Sequence, residues 1–176
     1  MASPEVPAGT DAARLLKRKN NDFNRSPLIK AIVGEGDDQE EFNLHRYIIT
    51  KKSGFFKSAF SGRWGNSESK KVDLLHLDPK YFAQYLEAVY TNKILPDTYT
   101  YEPGVISALC HVYVIAEEMI DASTKNLALR DLKRAICCEV GNLHWYPGKN
   151  HIATIYEATS SASNPARRFM ISCERS

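Results

Sequence analysis

The chain has 176 residues, of which 43% are hydrophobic and 25% are charged, and its formal net charge is +2. These values are ordinary for a globular domain with a substantial core, and so small a charge gives no support to binding of nucleic acid or of an anionic membrane. No apolar run is long enough for a membrane span, and residues 1–9 contain no apolar signal segment, so we expect a cytoplasmic or nuclear protein.

Residues 1–25 are polar and are predicted to form a flexible N-terminal segment. Lys17, Arg18 and Lys19 could serve as a nuclear import signal, but short basic clusters are weak motifs, and a solvated tail is the favoured interpretation.

A β-hairpin is predicted next. Residues 28–33 are β-rich, residues 34–39 are a polar turn, and Phe42 and Leu44 alternate with Asn43 in a second strand. The acidic residues of the turn lack the alternating carboxylates of a calcium loop, so we expect a solvated hairpin tip.

Two short helices should follow the hairpin. Ser53 is predicted to cap the second helix, because a hydroxyl at that position can accept a backbone N–H. One apolar stripe on this helix is too large for a surface helix and therefore predicts a core position. The stripe consists of Phe55, Phe56, Ala59 and Phe60.

A third strand is predicted at residues 72–75, and Asp78 with Pro79 marks the start of a helix that has Phe82, Leu86, Val89 and Tyr90 on one face. The loop at residues 92–103 could include a short strand at residues 93–95.

The remainder of the chain is predicted to be helical. Residues 104–120 carry so broad an apolar arc that a central, buried helix is expected. Asp121, Asn150 and Asn164 with Pro165 are predicted to begin the three helices that follow.

Several motifs, in this order, resemble the BTB (POZ) domain family. The chain shares the family's strand ending in His45-Arg46 and the helix start Ser53-Gly54-Phe55-Phe56. Asp78-Pro79-x-x-Phe82 and residues 112–117 are also similar to family motifs. Residues 141–176 resemble the helical extension of the lone-domain BTB proteins that are common in fungi.

This resemblance implies an α+β fold in which a small mixed sheet, a β-hairpin plus one or two strands, is flanked by a cluster of helices. It implies a BTB domain at residues 26–140 and a C-terminal helical extension at residues 141–176. The expected function is that of a non-catalytic module that forms homodimers, or heterodimers with other BTB proteins, and recruits partners. No cofactor, metal, membrane, nucleic acid or small-molecule substrate is expected.

The predicted site residues fall into two groups. His45, Ser53, Phe56, Asp78 and Pro79 are expected to be structural, and His45 lacks the second group that a catalytic base or metal ligand would need. The candidate partner-binding residues are Arg46, Trp64, Asn66 and Tyr113.

Binding to a cullin scaffold, as a ubiquitin-ligase adaptor, is an alternative function. Family members that bind cullin resemble one another in an apolar-x-Glu motif, which aligns here with Trp64-Gly65-Asn66. Asn66 replaces the acid, and the loss of a charged interface group weakens this hypothesis.

A small hydrolase with a Cys-His pair is a third possibility. Its nucleophile would be Cys137 or Cys138 and its base His144. The predicted position of both cysteines at a helix C-terminus argues against it, because the helix dipole raises the pKa of a thiol there. The two remaining cysteines, Cys110 and Cys173, are isolated, and the four together match no disulfide framework or zinc pattern.

Overall fold

The computed structural model describes residues 26–61, 70–96, 104–136 and 146–174. These residues form a three-stranded sheet and a set of helices, which confirms the predicted α+β class. Within these ranges, no helix is both long enough and apolar enough to cross a membrane.

The sheet is mixed and has the order β2-β1-β3. Strand β1 (Leu28–Val33) pairs antiparallel with β2 (Glu40–His45) and parallel with β3 (Lys71–Leu74), so the predicted hairpin and third strand are confirmed. In β1, alternate side chains face the core, which follows from the two-residue period of a strand. The buried set is Ile29, Ala31 and Val33.

Helices α1 (Arg46–Lys52) and α2 (Gly54–Ala59) follow the hairpin. Ser53 lies between them, and its Oγ accepts the N–H of Phe56 at 3.1 Å, so the predicted helix cap is present. The same hydroxyl donates to the carbonyl of Met119 at 2.6 Å. The Phe56 ring is fully buried and stacks parallel to Phe60, in agreement with the predicted core position.

Helix α3 (Pro79–Thr91) begins as predicted, because the Asp78 carboxylate accepts the N–H of Lys80 at 2.8 Å and Pro79 takes the first helical position. The possible strand at residues 93–95 is wrong. The N–H of Leu95 donates to the buried Asp131 carboxylate at 3.2 Å, so this amide is satisfied by a side chain and not by a neighbouring strand.

Helix α4 (Val105–Glu118) is the predicted central helix. It packs against α3, against α5 (Ala122–Ile136) and against α6 (Lys149–Ala158). The Asp121 carboxylate accepts the N–H of Thr124 at 3.0 Å, as expected for the cap of α5.

The last helix, α7 (Pro165–Glu174), begins as predicted, since the Asn164 side chain accepts the N–H of Ala166 at 2.9 Å. The predicted cap at Asn150 is wrong. Helix α6 begins two residues earlier than that cap predicts, after Gly148, whose N–H donates to Nδ1 of His151 at 3.0 Å.

The turn between α4 and α5 contacts the start of α2. The N–H groups of Gly54 and Phe55 donate to the carbonyls of Ile120 and Met119, both at 3.2 Å. Ile120 has a left-handed backbone (φ 53°), which is unusual for a β-branched residue, and its side chain is 68% exposed. We call this contact between the two parts of the chain the corner.

We predict that Gly54→Ala destabilises the fold by about 1–3 kcal/mol, the typical cost of overpacking. A Cβ at Gly54 would lie 3.0 Å from Cγ2 and 3.1 Å from Cβ of Ile120, so Ile120 would have to shift within the corner. Urea unfolding measures the loss. Gly148→Ala is the comparison, because the nearest atom to a Cβ there is 3.8 Å away and only the smaller cost of an alanine at a helix cap is expected. Gly54→Ala should cost less in an Ile120→Gly background than in the wild type, and a Gly54→Ala variant as stable as the wild type would contradict this packing.

Candidate protein-interaction surface

Three large apolar side chains are exposed around one end of the sheet. Leu28 is 51% exposed, Tyr47 is 42% exposed and Tyr90 is 39% exposed. Together with the half-buried His45 they form what we call the hairpin-end patch. Single exposed apolar residues are common on protein surfaces, whereas a cluster of them is typical of an interaction site.

His45 is next to two members of this patch, Leu28 and Tyr90. It lies opposite Leu28 in the register of β1 and β2, and it is the last residue before α1. The Tyr90 hydroxyl accepts the backbone N–H of His45 at 3.0 Å and lies 3.1 Å from its ring Nδ1. The imidazole therefore joins the end of β2 to the last turn of α3, which is a structural use of this side chain.

The two residues before β1 hold the start of α1. The N–H of Arg46 donates to the carbonyl of Pro27 at 3.1 Å, and the N–H of Tyr47 donates to Oγ of Ser26 at 2.8 Å. These bonds satisfy amides of the first helical turn, which have no partner within the helix. They fix the backbone on which the Tyr47 ring is displayed.

Arg46, a predicted partner-binding residue, contacts its own chain. Its guanidinium donates to the Phe60 carbonyl at 2.6 Å, at the C-terminal end of α2, where free carbonyls favour a cation. The residue as a whole remains exposed. A contact with a partner is still a prediction for this position.

Tyr113 does not fit its predicted role as a partner-binding residue. Its side chain is 0% exposed in the middle of α4, and its hydroxyl donates to the Asn164 side chain at 2.9 Å. Burial, and to a smaller extent the charge of Glu117, raises the pKa of Tyr113 above its ordinary value. The prediction is wrong because α7 and the residue before it cover a helix face that would otherwise be open.

Trp64 and Asn66 lie outside the described residues, so the cullin hypothesis stays a prediction. Cys137, Cys138 and His144 also lie outside them, so the hydrolase hypothesis stays a prediction as well.

The described residues contain no cluster of three or more His, Cys, Asp or Glu side chains that could hold a metal ion. Cys110 lies in the core, where burial raises the pKa of its thiol to about 12. A thiol with such a pKa is protonated at neutral pH and is a poor nucleophile.

The three exposed members of the patch were missed by sequence reasoning. Tyr90 was expected on the buried face of α3, but it lies in the last turn, where its hydroxyl and its ring contact His45 and the side chain stays 39% exposed. Leu28 could have been found from alternation, because it shares the outward register of Lys30 and not that of Ile29. No pattern in the sequence predicts that Tyr47 is exposed.

The structure is thus a small α+β domain, and the hairpin-end patch exposes apolar and aromatic side chains on its surface. A family model described as "BTB/POZ domain" matches residues 30–121, which is more than half of the chain. The chain therefore belongs to the BTB/POZ family, whose domains are protein–protein interaction modules.

One solved structure with a similar fold is the BTB (Tramtrack and Bric a brac) domain of human gigaxonin. It shares 18% sequence identity with this chain, the match covers 75% of this chain and 99% of that one, and the TM-score is 0.46. No curated protein matches the sequence.

We predict that Tyr113→Phe destabilises the fold by about 1 kcal/mol through the loss of a buried hydrogen bond to Asn164. Urea unfolding measures this loss. Tyr146→Phe changes the same group at a site that is 55% exposed and should have almost no effect. Equal stability of the two variants would contradict the buried role of the Tyr113 hydroxyl.

Proposed function

We propose that this chain is a non-catalytic interaction domain that self-associates through the hairpin-end patch. The supporting observation is the grouping of Leu28, Tyr47 and Tyr90 on elements that hydrogen bonds fix to one another. The partner is a second copy of the chain or a related BTB domain.

The residue types in the patch suit a binding site. Tyrosine is enriched among the residues that contribute most to binding, because its ring offers a large apolar area with few rotatable bonds. Burying a fully exposed side chain of this size contributes about 1.5–3 kcal/mol, so covering the 39–51% that is still exposed contributes about half of that, before the cost of association is subtracted. Three side chains of this size on each copy therefore provide the apolar centre of an interface, although not its whole area.

A two-fold dimer would place the same patch on both sides of the interface. The backbone beneath the patch is held by the Tyr90–His45 bonds and by Ser26, so little ordering is needed on association. A preorganised surface loses less conformational entropy when it binds, which favours this site over a mobile one.

We predict that the wild-type chain forms a dimer at micromolar concentration and that Tyr47→Arg weakens it at least about tenfold, because a desolvated aromatic contact is lost and a charge is placed in the interface. Sedimentation velocity over a range of concentrations measures the dissociation constant. Circular dichroism confirms that the variant is folded.

Ile171→Arg is the matched control, since Ile171 is also exposed (39%) but lies on α7. It should leave the dissociation constant unchanged. A wild-type chain that is strictly monomeric at high micromolar concentration would refute self-association, and equal weakening by both variants would refute the assigned surface.

A further inference from the structure

Helix α6 begins with a hydrogen bond that requires an uncharged histidine. The N–H of Gly148 donates to Nδ1 of His151 at 3.0 Å, and the N–H of His151 donates back to the Gly148 carbonyl at 3.0 Å. This is one half of a capping box, in which an imidazole takes the place usually filled by Glu or Gln, while a backbone carbonyl replaces the side chain that glycine lacks. Nδ1 can accept the bond only while it carries no proton.

Protonation of His151 would act against the helix in two ways. It would remove the acceptor of the Gly148 N–H, and it would place a positive charge at a helix N-terminus, where the dipole disfavours cations. His151 is half-buried, so the charge would also lose hydration.

Helix α4, which packs against α6, holds a second histidine. His111 is half-buried and stacks on Tyr81 of α3, with ring centroids 4.0 Å apart and an angle of 10° between the rings. Burial lowers the pKa of His111 below its ordinary value, Asp78 raises it and His151 lowers it. Burial also lowers the pKa of His151.

The other charged groups near this cluster are few. Lys80 lies over the Tyr81 ring at 5.5 Å, and Lys149 adds a positive charge to the first turn of α6. On α7, Arg167 contacts Tyr156 at the opposite end of α6. Among the residues that the structure describes, Asp78 is therefore the one negative group that acts on the pair, and it acts on His111.

We propose that His151 and His111 make the packing of α6 onto α4 sensitive to acid, so that α6 separates from α4 as the pH falls. Ile155 of α6 is fully buried and would become accessible together with the α4 surface beneath it. The trigger is the simultaneous loss of the cap and gain of like charge on facing helices.

The direction follows from proton binding. Both histidines have folded-state pKa values below the ordinary 6.5, so the undocked form binds more protons as the pH falls through 6.5. The docked form therefore loses stability between pH 6.5 and the lower folded pKa values, and is unaffected by these groups above that range.

The test is deuterium uptake by peptides covering α6, measured on the whole chain at about pH 7.5 and about pH 5, with labelling times scaled for the intrinsic exchange rate. We expect a several-fold loss of protection in α6 at the lower pH, while peptides from the buried α4 remain protected. Unchanged scaled protection in the wild-type α6 would overturn the proposal.

Three variants separate the cap from general acid sensitivity. His151→Gln supplies an acceptor that does not titrate and should remove most of the pH response, and His151→Ala should lower protection at both pH values. His76→Gln is the control, because His76 bonds to Glu118 of α4 and not to α6. A His151→Gln variant that responds to acid like the wild type would contradict the role of His151.

Discussion

The rest of the structure depends on the corner, where two carbonyl groups at the end of α4 meet the start of α2. The Met119 carbonyl accepts the Ser53 hydroxyl and the Phe55 N–H, and the Ile120 carbonyl accepts the Gly54 N–H. A helix start and a helix end thus satisfy one another's unpaired backbone groups, and at the buried Ser53 and Met119 an unpaired group would cost about 1–3 kcal/mol. The bonds join the hairpin and its two short helices to the pair α4 and α5.

The corner explains why the hairpin-end patch is a suitable binding surface. Helix α1 is too short to be stable alone, so its orientation comes from its neighbours. Ser53 anchors its C-terminal end to α4, and Ser26 with Pro27 anchors its first turn. The aromatic side chain of Tyr47 is therefore displayed on a backbone fixed at both ends. In the proposed function, this fixed backbone presents the Tyr47 side chain to a partner.

Most of the fold could be predicted from sequence because it is encoded by local signals. Ser53, Asp78 and Asp121 have short polar side chains that satisfy nearby amides, and these caps depend on a few residues only. Tyr113 could not be assigned in this way. A helical pattern shows which residues share a face, but it does not show that a segment 51 residues later in the chain will cover that face. The prediction of the α6 cap was wrong for a related reason, since a histidine is rarely expected to accept the N–H of the residue that begins a helix.

The central claim is that the corner joins the two parts of the fold into one cooperative unit. Native-state amide exchange of Gly54 and Phe55 tests it most directly, because amides in the first turn of a helix are ordinarily unbonded and exchange rapidly. We predict that both amides are protected and that they open only with a free energy close to that of global unfolding. Rapid exchange of both amides in a protein whose α4 remains protected would contradict the account.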